Sequence, residues 1–306
     1  MSSNNKTKET KILSPTIDVV FQALFGEVGS EDITKRFLEQ ILGETITSID
    51  LSQNVVLRRE KIDDKMGVLD VIAKINDKDY VNIEMQVTNQ EALMERMLYY
   101  WARKYTQQIK KSNDYTKIQR TIVVLIANFN IEQLNGLEFH TKWKIIEEKH
   151  RKNILTNRFE MHIIGLEKAR KEKNVDNELI DWLEFITNPE SERIKEKMAE
   201  NKELKNAYTK LKEMSEDEKM QRIAEWRQDA IYTENTLYSS GLKEGEKRGK
   251  EIGKEIGKAI GEEIGEKNKQ IEIARNMIKE KIDVELISKT TGLTKEEIET
   301  IKIENV

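Results

Sequence analysis

Apolar residues recur at helical spacing near the start of the chain and change to strand-like runs after residue 45. Ile17, Val20, Phe21, Leu24 and Phe25 mark the buried face of a first helix. Ser14-Pro15 reads as its N-cap with proline at the first helical position, and Gly26 as its stop. A second helix is predicted over 32–42, with Ile33, Phe37, Leu38, Ile41 and Leu42 inward and Gly43 ending it. Residues 45–51, 54–59, 67–75 and 80–87 then read as strands. A long helix over 91–110 follows, with Leu93, Met97, Tyr100, Trp101 and Tyr105 on one face. Residues 119–127 carry the buried-strand run Ile-Val-Val-Leu-Ile, and 158–164 supply a late strand. This order predicts an α/β (α+β) domain whose mixed central sheet is flanked by helices.

Past residue 166 the pattern is helical and polar up to about residue 240, with Trp182, Leu183, Phe185, Ile186, Leu204, Leu211 and Trp226 as sparse apolar anchors. A repeat follows. Glycine stands at 241, 245, 249, 253, 257, 261 and 265, and Ile252, Ile256, Ile260 and Ile264 each precede one of them. A four-residue step overshoots the helical turn by ~40°, so such a stripe winds round a helix. Two readings fit: a small-residue face for self-association, or a charge-solvated marginal helix or linker, which the many Lys and Glu neighbours favour. Residues 268–306 then give a helix, a turn at Gly292, a threonine cap at Thr294 and another helix, the size of a helix-turn-helix. Its last helix opens Thr294-Lys295-Glu296-Glu297, acidic where phosphate contact needs positive charge, so packing or oligomerisation is favoured over DNA reading.

Composition narrows the chemistry. The net charge of −4 provides no global field for nucleic acid, so such a role needs a local basic surface or a bound metal. The absence of cysteine excludes disulfides, thiol nucleophiles and zinc–thiolate sites. Only His140, His150 and His162 carry imidazole, so any metal is expected on oxygen ligands, which favours Mg2+ or Mn2+. No stretch has the ~18–20 apolar residues that span a bilayer, and the first residues lack the apolar core of a secretory signal. A cytoplasmic protein with no membrane partner is expected.

The chemical anomaly is a pair of adjacent strands that each carry a carboxylate among apolar neighbours: Asp70 in Leu69-Asp70-Val71-Ile72, and Glu84 in Val81-Asn82-Ile83-Glu84-Met85-Gln86-Val87. A buried carboxylate is costly unless paired or bound to metal. Strand alternation puts Asn82, Glu84 and Gln86 on one face and Val81, Ile83 and Met85 on the other. An edge strand with one wet face would explain that triplet equally well.

An aspartate followed about a dozen residues later by Glu-x-Gln resembles the PD-(D/E)xK nuclease core. The ordered set Asp18-Val19-Val20-Phe21, Leu69-Asp70-Val71, Ile83-Glu84-Met85-Gln86, Arg96-Met97-Leu98-Tyr99-Tyr100-Trp101, Asp114-Tyr115 and Trp182-Leu183-Glu184-Phe185 resembles its Rpn branch, the recombination-promoting nucleases also classed as transposases. The similarity runs over about residues 12–265. It implies a restriction-endonuclease-like sheet over 12–165 and a helical extension over 166–240 packed on it. The glycine-periodic helix or linker over 241–267 and a small helical element over 268–306 follow.

The resemblance also implies a Mg2+- or Mn2+-dependent DNA endonuclease acting in recombination, mobile elements or genome defence. Asp70, Glu84 and Gln86 would be its catalytic residues. Asp70 and Glu84 would be metal ligands, joined by the Met85 backbone carbonyl and by Asp18, for which stabilisation of the first helical turn is an equal alternative. Gln86 stands where the better-known motif has lysine, as is usual in this branch, and leaves more of the electrostatic work to metal and arginine. Arg96, Arg103 and Lys104 are expected to contact DNA, while Tyr99, Tyr100 and Trp101 are expected to pack. Lys104, Lys110, Lys111, Lys117 and Arg120 form a candidate basic patch. The alternatives are a catalytically inactive nuclease-fold protein that binds DNA or regulates, and an oligomerising protein assembled through its C-terminal helical region.

Overall fold

In the computed structural model, residues 11–52, 54, 71–89, 92–109, 114–172 and 176–303 are described. They form two compact units, 1–235 and 236–306.

In the first unit, α1 (Asp18–Gly26) and α2 (Glu31–Leu42) bury the predicted apolar faces. The first helix starts later than its sequence signal: Ser14–Ile17 forms a turn closed by Ile17 N–H on the Ser14 carbonyl, and Ile17 is the N-cap. Gly43 closes α2 at φ 67°, the left-handed conformation that glycine adopts without a Cβ penalty. Gly26 serves a different end. A Cβ there would lie 3.1 Å from Val71 Cγ2, so its bareness lets α1 approach the first residue of a core strand.

Six strands form one sheet: β1 (Ile49–Asp50), β2 (Val71–Ile75), β3 (Asp79–Gln86), β4 (Thr121–Ala127), β5 (His140–Trp143) and β6 (Phe159–Gly165), in the order β1-β2-β3-β4-β6-β5. β3, β4 and β6 run parallel, and the other pairings are antiparallel. The strand expected over 45–51 contracts to two residues, and β5 has no counterpart in the sequence pattern, because His140-Thr141-Lys142-Trp143 carries no apolar run. A parallel β3–β4 pair requires a crossover, and α3 (Leu93–Gln107) provides it.

Each face of β4 is covered, which is why its sequence is continuously apolar. Ile122, Val124 and Ile126 join the main core with α1, α2, α4 (Leu166–Ala169), α5 (Glu178–Thr187), α6 (Glu192–Lys197) and α7 (Lys202–Glu216). Val123, Leu125 and Ala127 join Leu93 and Met97 of α3 in a second cluster on the opposite face. An aromatic chain fastens three helices of the main core: Phe25 to Phe37 at 5.0 Å between ring centroids, and Phe37 to Trp182 at 5.6 Å. Leu204 and Leu211 are buried there too, whereas Trp226 is 67% exposed, with the Arg227 guanidinium 5.8 Å from its ring centroid.

α8 (Glu218–Lys279) contains the boundary between the units and includes all seven periodic glycines. Residues 232–269 are exposed throughout, and a Cβ on any of these glycines would meet open space. Each therefore costs roughly 1 kcal/mol of helix propensity, with no close-packed neighbour among the described residues to account for it. In the second unit, α9 (Val284–Thr291) and α10 (Lys295–Ile303) bury Ile287, Leu293, Ile298 and Ile301 against Ala274 of α8. Gly292 turns the chain at φ 75°, and Thr294 and Glu297 exchange backbone bonds as a capping box.

Candidate active site

β3 places the Asn82, Glu84 and Gln86 positions on one side of the sheet. Their β4 partners for the first two are Val123 and Leu125, members of the α3-side cluster. The edge-strand alternative fails: β3 is interior, bonded to β2 on one side and β4 on the other. Glu84 is 2% exposed, so its carboxylate lies inside the protein. Gln86, half-buried, donates from Nε2 to Glu84 Oε2 at 3.1 Å. Met85 turns its side chain into the main core, so its backbone lies between these two polar residues.

Asp70 lies outside the described residues. Its chain neighbour Val71 pairs with Ile83, the residue before Glu84. Among the described residues, no group of three or more His, Asp or Glu side chains is arranged to hold a metal ion. The donors expected here, a buried carboxylate and carbonyl oxygens, have the hardness that suits Mg2+ or Mn2+.

α3 roofs this face. Trp101 Nε1 donates to the Thr121 carbonyl at 3.0 Å, and Gln108 Nε2 to Thr121 Oγ1 at 2.8 Å, so the C-terminal end of α3 lies at the start of β4. Lys104 Nζ stands 4.6 Å from the Tyr80 ring centroid, and burial lowers its pKa. α3 therefore runs antiparallel to β3. Arg96 lies two turns, about 12 Å, back from Lys104, and Glu84 lies four residues, about 13 Å, along β3 from Tyr80. The half-buried Arg96 is thus level with Glu84, and Arg103 is exposed on the same helix.

Asp18 is placed elsewhere. α1 packs in the main core, on the face away from the Glu84 row. Its carboxylate is held by the Arg227 guanidinium, with Nε on Oδ1 at 3.0 Å and Nη2 on Oδ2, and Oδ1 also accepts from Val19 N–H at 2.8 Å.

Among the described residues, the expected basic patch is only partly available. Lys110 and Lys111 lie outside the described residues, and Lys104 is partly buried over Tyr80. Arg120 sits among carboxylates, bonding Glu44 at 3.1 Å and Asp79 at 3.1 Å, with Glu160 at 3.8 Å. Only Lys117 of the set is exposed among the described residues. Tyr99, expected to pack, is 61% exposed.

A second polar cluster was not expected. His140 Nε2 and His162 Nδ1 are 2.8 Å apart, and His162 Nε2 is 2.8 Å from Glu160 Oε1. Burial, then the neighbouring His162 and Lys142 charges, pushes the His140 pKa down to about 4. Burial would raise Glu160, but bonds from His162 and Lys142 hold it at about 2. The histidines are 22 residues apart in sequence, and only the β5–β6 pairing joins them. Alternating polar residues at 160 and 162 in an otherwise apolar run were the available signal.

Comparison with known families agrees with this architecture. A family model described as PD-(D/E)XK nuclease family transposase matches residues 15–240. A second, described as the Rpn/YhgA-like nuclease family C-terminal HTH domain, matches residues 267–302, the segment whose acidic last helix had favoured a packing element. No curated protein and no solved structure matches the chain. Among the described residues, no helix is long and apolar enough to cross a membrane.

Proposed function

The chain belongs to the PD-(D/E)XK nuclease family transposases, and we propose that it is a Mg2+- or Mn2+-dependent DNA endonuclease centred on Glu84 and Asp70. The observation that carries this reading is a carboxylate buried on an interior strand, with a carboxamide two residues on bonded to it. Asp70 adjoins Val71 in the chain, and the Val71–Ile83 pairing favours a shared site with Glu84.

Asp70 and Glu84 would hold the cation, with the Met85 carbonyl as a further donor. When bound, a divalent cation neutralises charge at the phosphate and lowers the pKa of water. Gln86 fixes the rotamer of Glu84 through Oε2 and contributes neutral hydrogen bonding where lysine would add charge. Arg96, level with Glu84, and Arg103 supply positive charge toward the phosphodiester, and Lys104 lines the same roof. Asp18 is assigned in this reading to its Arg227 pair and not to the cation.

Gln86 also favours a second reading, in which the site binds DNA without turnover and the protein is regulatory. Self-association through the C-terminal helical region, alongside the HTH domain, belongs to both readings. Incubating plasmid with purified protein, with and without Mg2+ or Mn2+, separates them. Metal-dependent nicking that is lost in Asp70→Ala and in Glu84→Ala supports the nuclease. Plasmid binding without cutting supports the second reading, and cutting that survives both substitutions removes the site assignment.

A further inference from the structure

Arg96, Tyr99 and Arg103 stand at intervals of three and four residues, so they form one stripe along α3. The opposite flank of the helix is committed elsewhere. Trp101 stacks on Tyr105 at 4.8 Å and meets Phe159 of β6 edge-on at 5.1 Å. With Trp101 turned toward β6, Arg96 lies on the other flank of α3, whereas Tyr99, two residues and ~200° past the buried Met97, faces away from the sheet. Tyr99 is 61% exposed between two cations, and its ring contact is with Tyr100 at 5.9 Å.

A ring flanked by guanidinium groups is a stacking platform for a nucleobase, with the arginines tracking the backbone. A base can reach such a platform only when it is unstacked. Duplex DNA conceals its base faces, so the stripe fits a single strand or a locally opened duplex better than intact B-form DNA.

We propose that the Arg96–Tyr99–Arg103 stripe binds single-stranded or locally opened DNA, with Tyr99 stacking on an unpaired base at the solvent face of α3. This rests on the nuclease-fold DNA reading above and adds the form of DNA recognised. Tyr99 is here a positioning residue: it holds a base and does not touch the reacting phosphate.

The test is binding of the full chain to a labelled oligothymidine strand and to a duplex of equal length, by fluorescence anisotropy in EDTA so that neither is cut. Tyr99→Ala is expected to weaken single-strand binding about tenfold, while Tyr99→Phe keeps it and duplex binding changes little. Arg103→Ala is expected to weaken both and to reduce the salt slope by about one. Equal affinities for wild type and Tyr99→Ala, equal losses on strand and duplex, or a loss in Tyr99→Phe as large as in Tyr99→Ala would each overturn the stacking role. Wild-type chain that binds neither DNA overturns the underlying DNA reading as well. Thermal unfolding of Tyr99→Ala is expected to match wild type, since the side chain is exposed.

Discussion

The Gln86 carboxamide donates from Nε2 to Glu84 Oε2 at 3.1 Å, within the buried half of an interior strand. One oxygen of Glu84 is thereby oriented by a neutral donor two residues away on the same side of the strand. Removing that donor frees the carboxylate rotamer without changing charge. Gln86→Ala is therefore expected to lower cleavage by ~10–100-fold, the range found for partners that orient metal ligands. Glu84→Ala is expected to abolish it. Initial nicking rates of supercoiled plasmid at several Mn2+ concentrations measure both, and a wild-type rate for Gln86→Ala would refute the orienting role.

The Asp18–Arg227 pair joins α1 to the start of α8, with side chains 22% and 28% exposed. Truncating one partner leaves a partly buried charge that has lost a bidentate ion pair. Asp18→Ala and Arg227→Ala are each expected to destabilise the first unit by about 1–3 kcal/mol. The double variant should cost clearly less than their sum. Denaturant unfolding of the four proteins gives the coupling. Additive losses would show that the two charges are not coupled and overturn the structural role given to the pair.

Acid is expected to destabilise the first unit in two stages. The folded His140 pKa of about 4 lies below its ordinary 6.5, so the unfolded chain binds more protons between those values. Stability is then complete above pH 6.5 and falls as pH drops toward 4, with uptake of about one proton on unfolding near pH 5. Glu160, held at about 2 against an ordinary 4.5, extends the loss over that lower range. Thermal unfolding from pH 7 to pH 3 shows the slope. His140→Leu should flatten its upper part, and an unchanged profile would remove His140 as the source.

Removal of residues 241–306 is expected to reduce the number of copies per particle, measured by light scattering as the ratio of particle mass to chain mass. The exposed Ile252, Ile256, Ile260 and Ile264 lie on a glycine-bearing stripe that winds round the helix, and a second copy wrapped along it can approach closely. Ile256→Lys with Ile260→Lys should reproduce the effect of truncation. An oligomer that survives both changes is assembled elsewhere.

Sequence periodicity was sufficient for the helices and the buried strands, because amphipathic spacing is a local consequence of burial. α1, α2, α3, β3, β4 and β6 stand close to their expected positions. Its failures have a common cause. β5 has no apolar run because it is an edge strand, and Ser14-Pro15 forms part of a turn that precedes the helix instead of capping it. For the site, the sequence provided the identity of Glu84 and Gln86 and their shared side of a strand. It could not tell an exposed edge from an interior strand, since both produce the same alternation.

By itself, then, the sequence determined what depends on near neighbours along the chain: element type, facing, caps, and the family resemblance carried by ordered motifs. Tertiary structure decided what depends on residues far apart. It buried Glu84 by flanking β3 with β2 and β4, bound Asp18 to Arg227 across 209 positions, enclosed Arg120 among three carboxylates, and left Tyr99 exposed beside Arg103. Burial and charge pairing are properties of the packed chain, and one-dimensional spacing does not encode which distant side chain arrives.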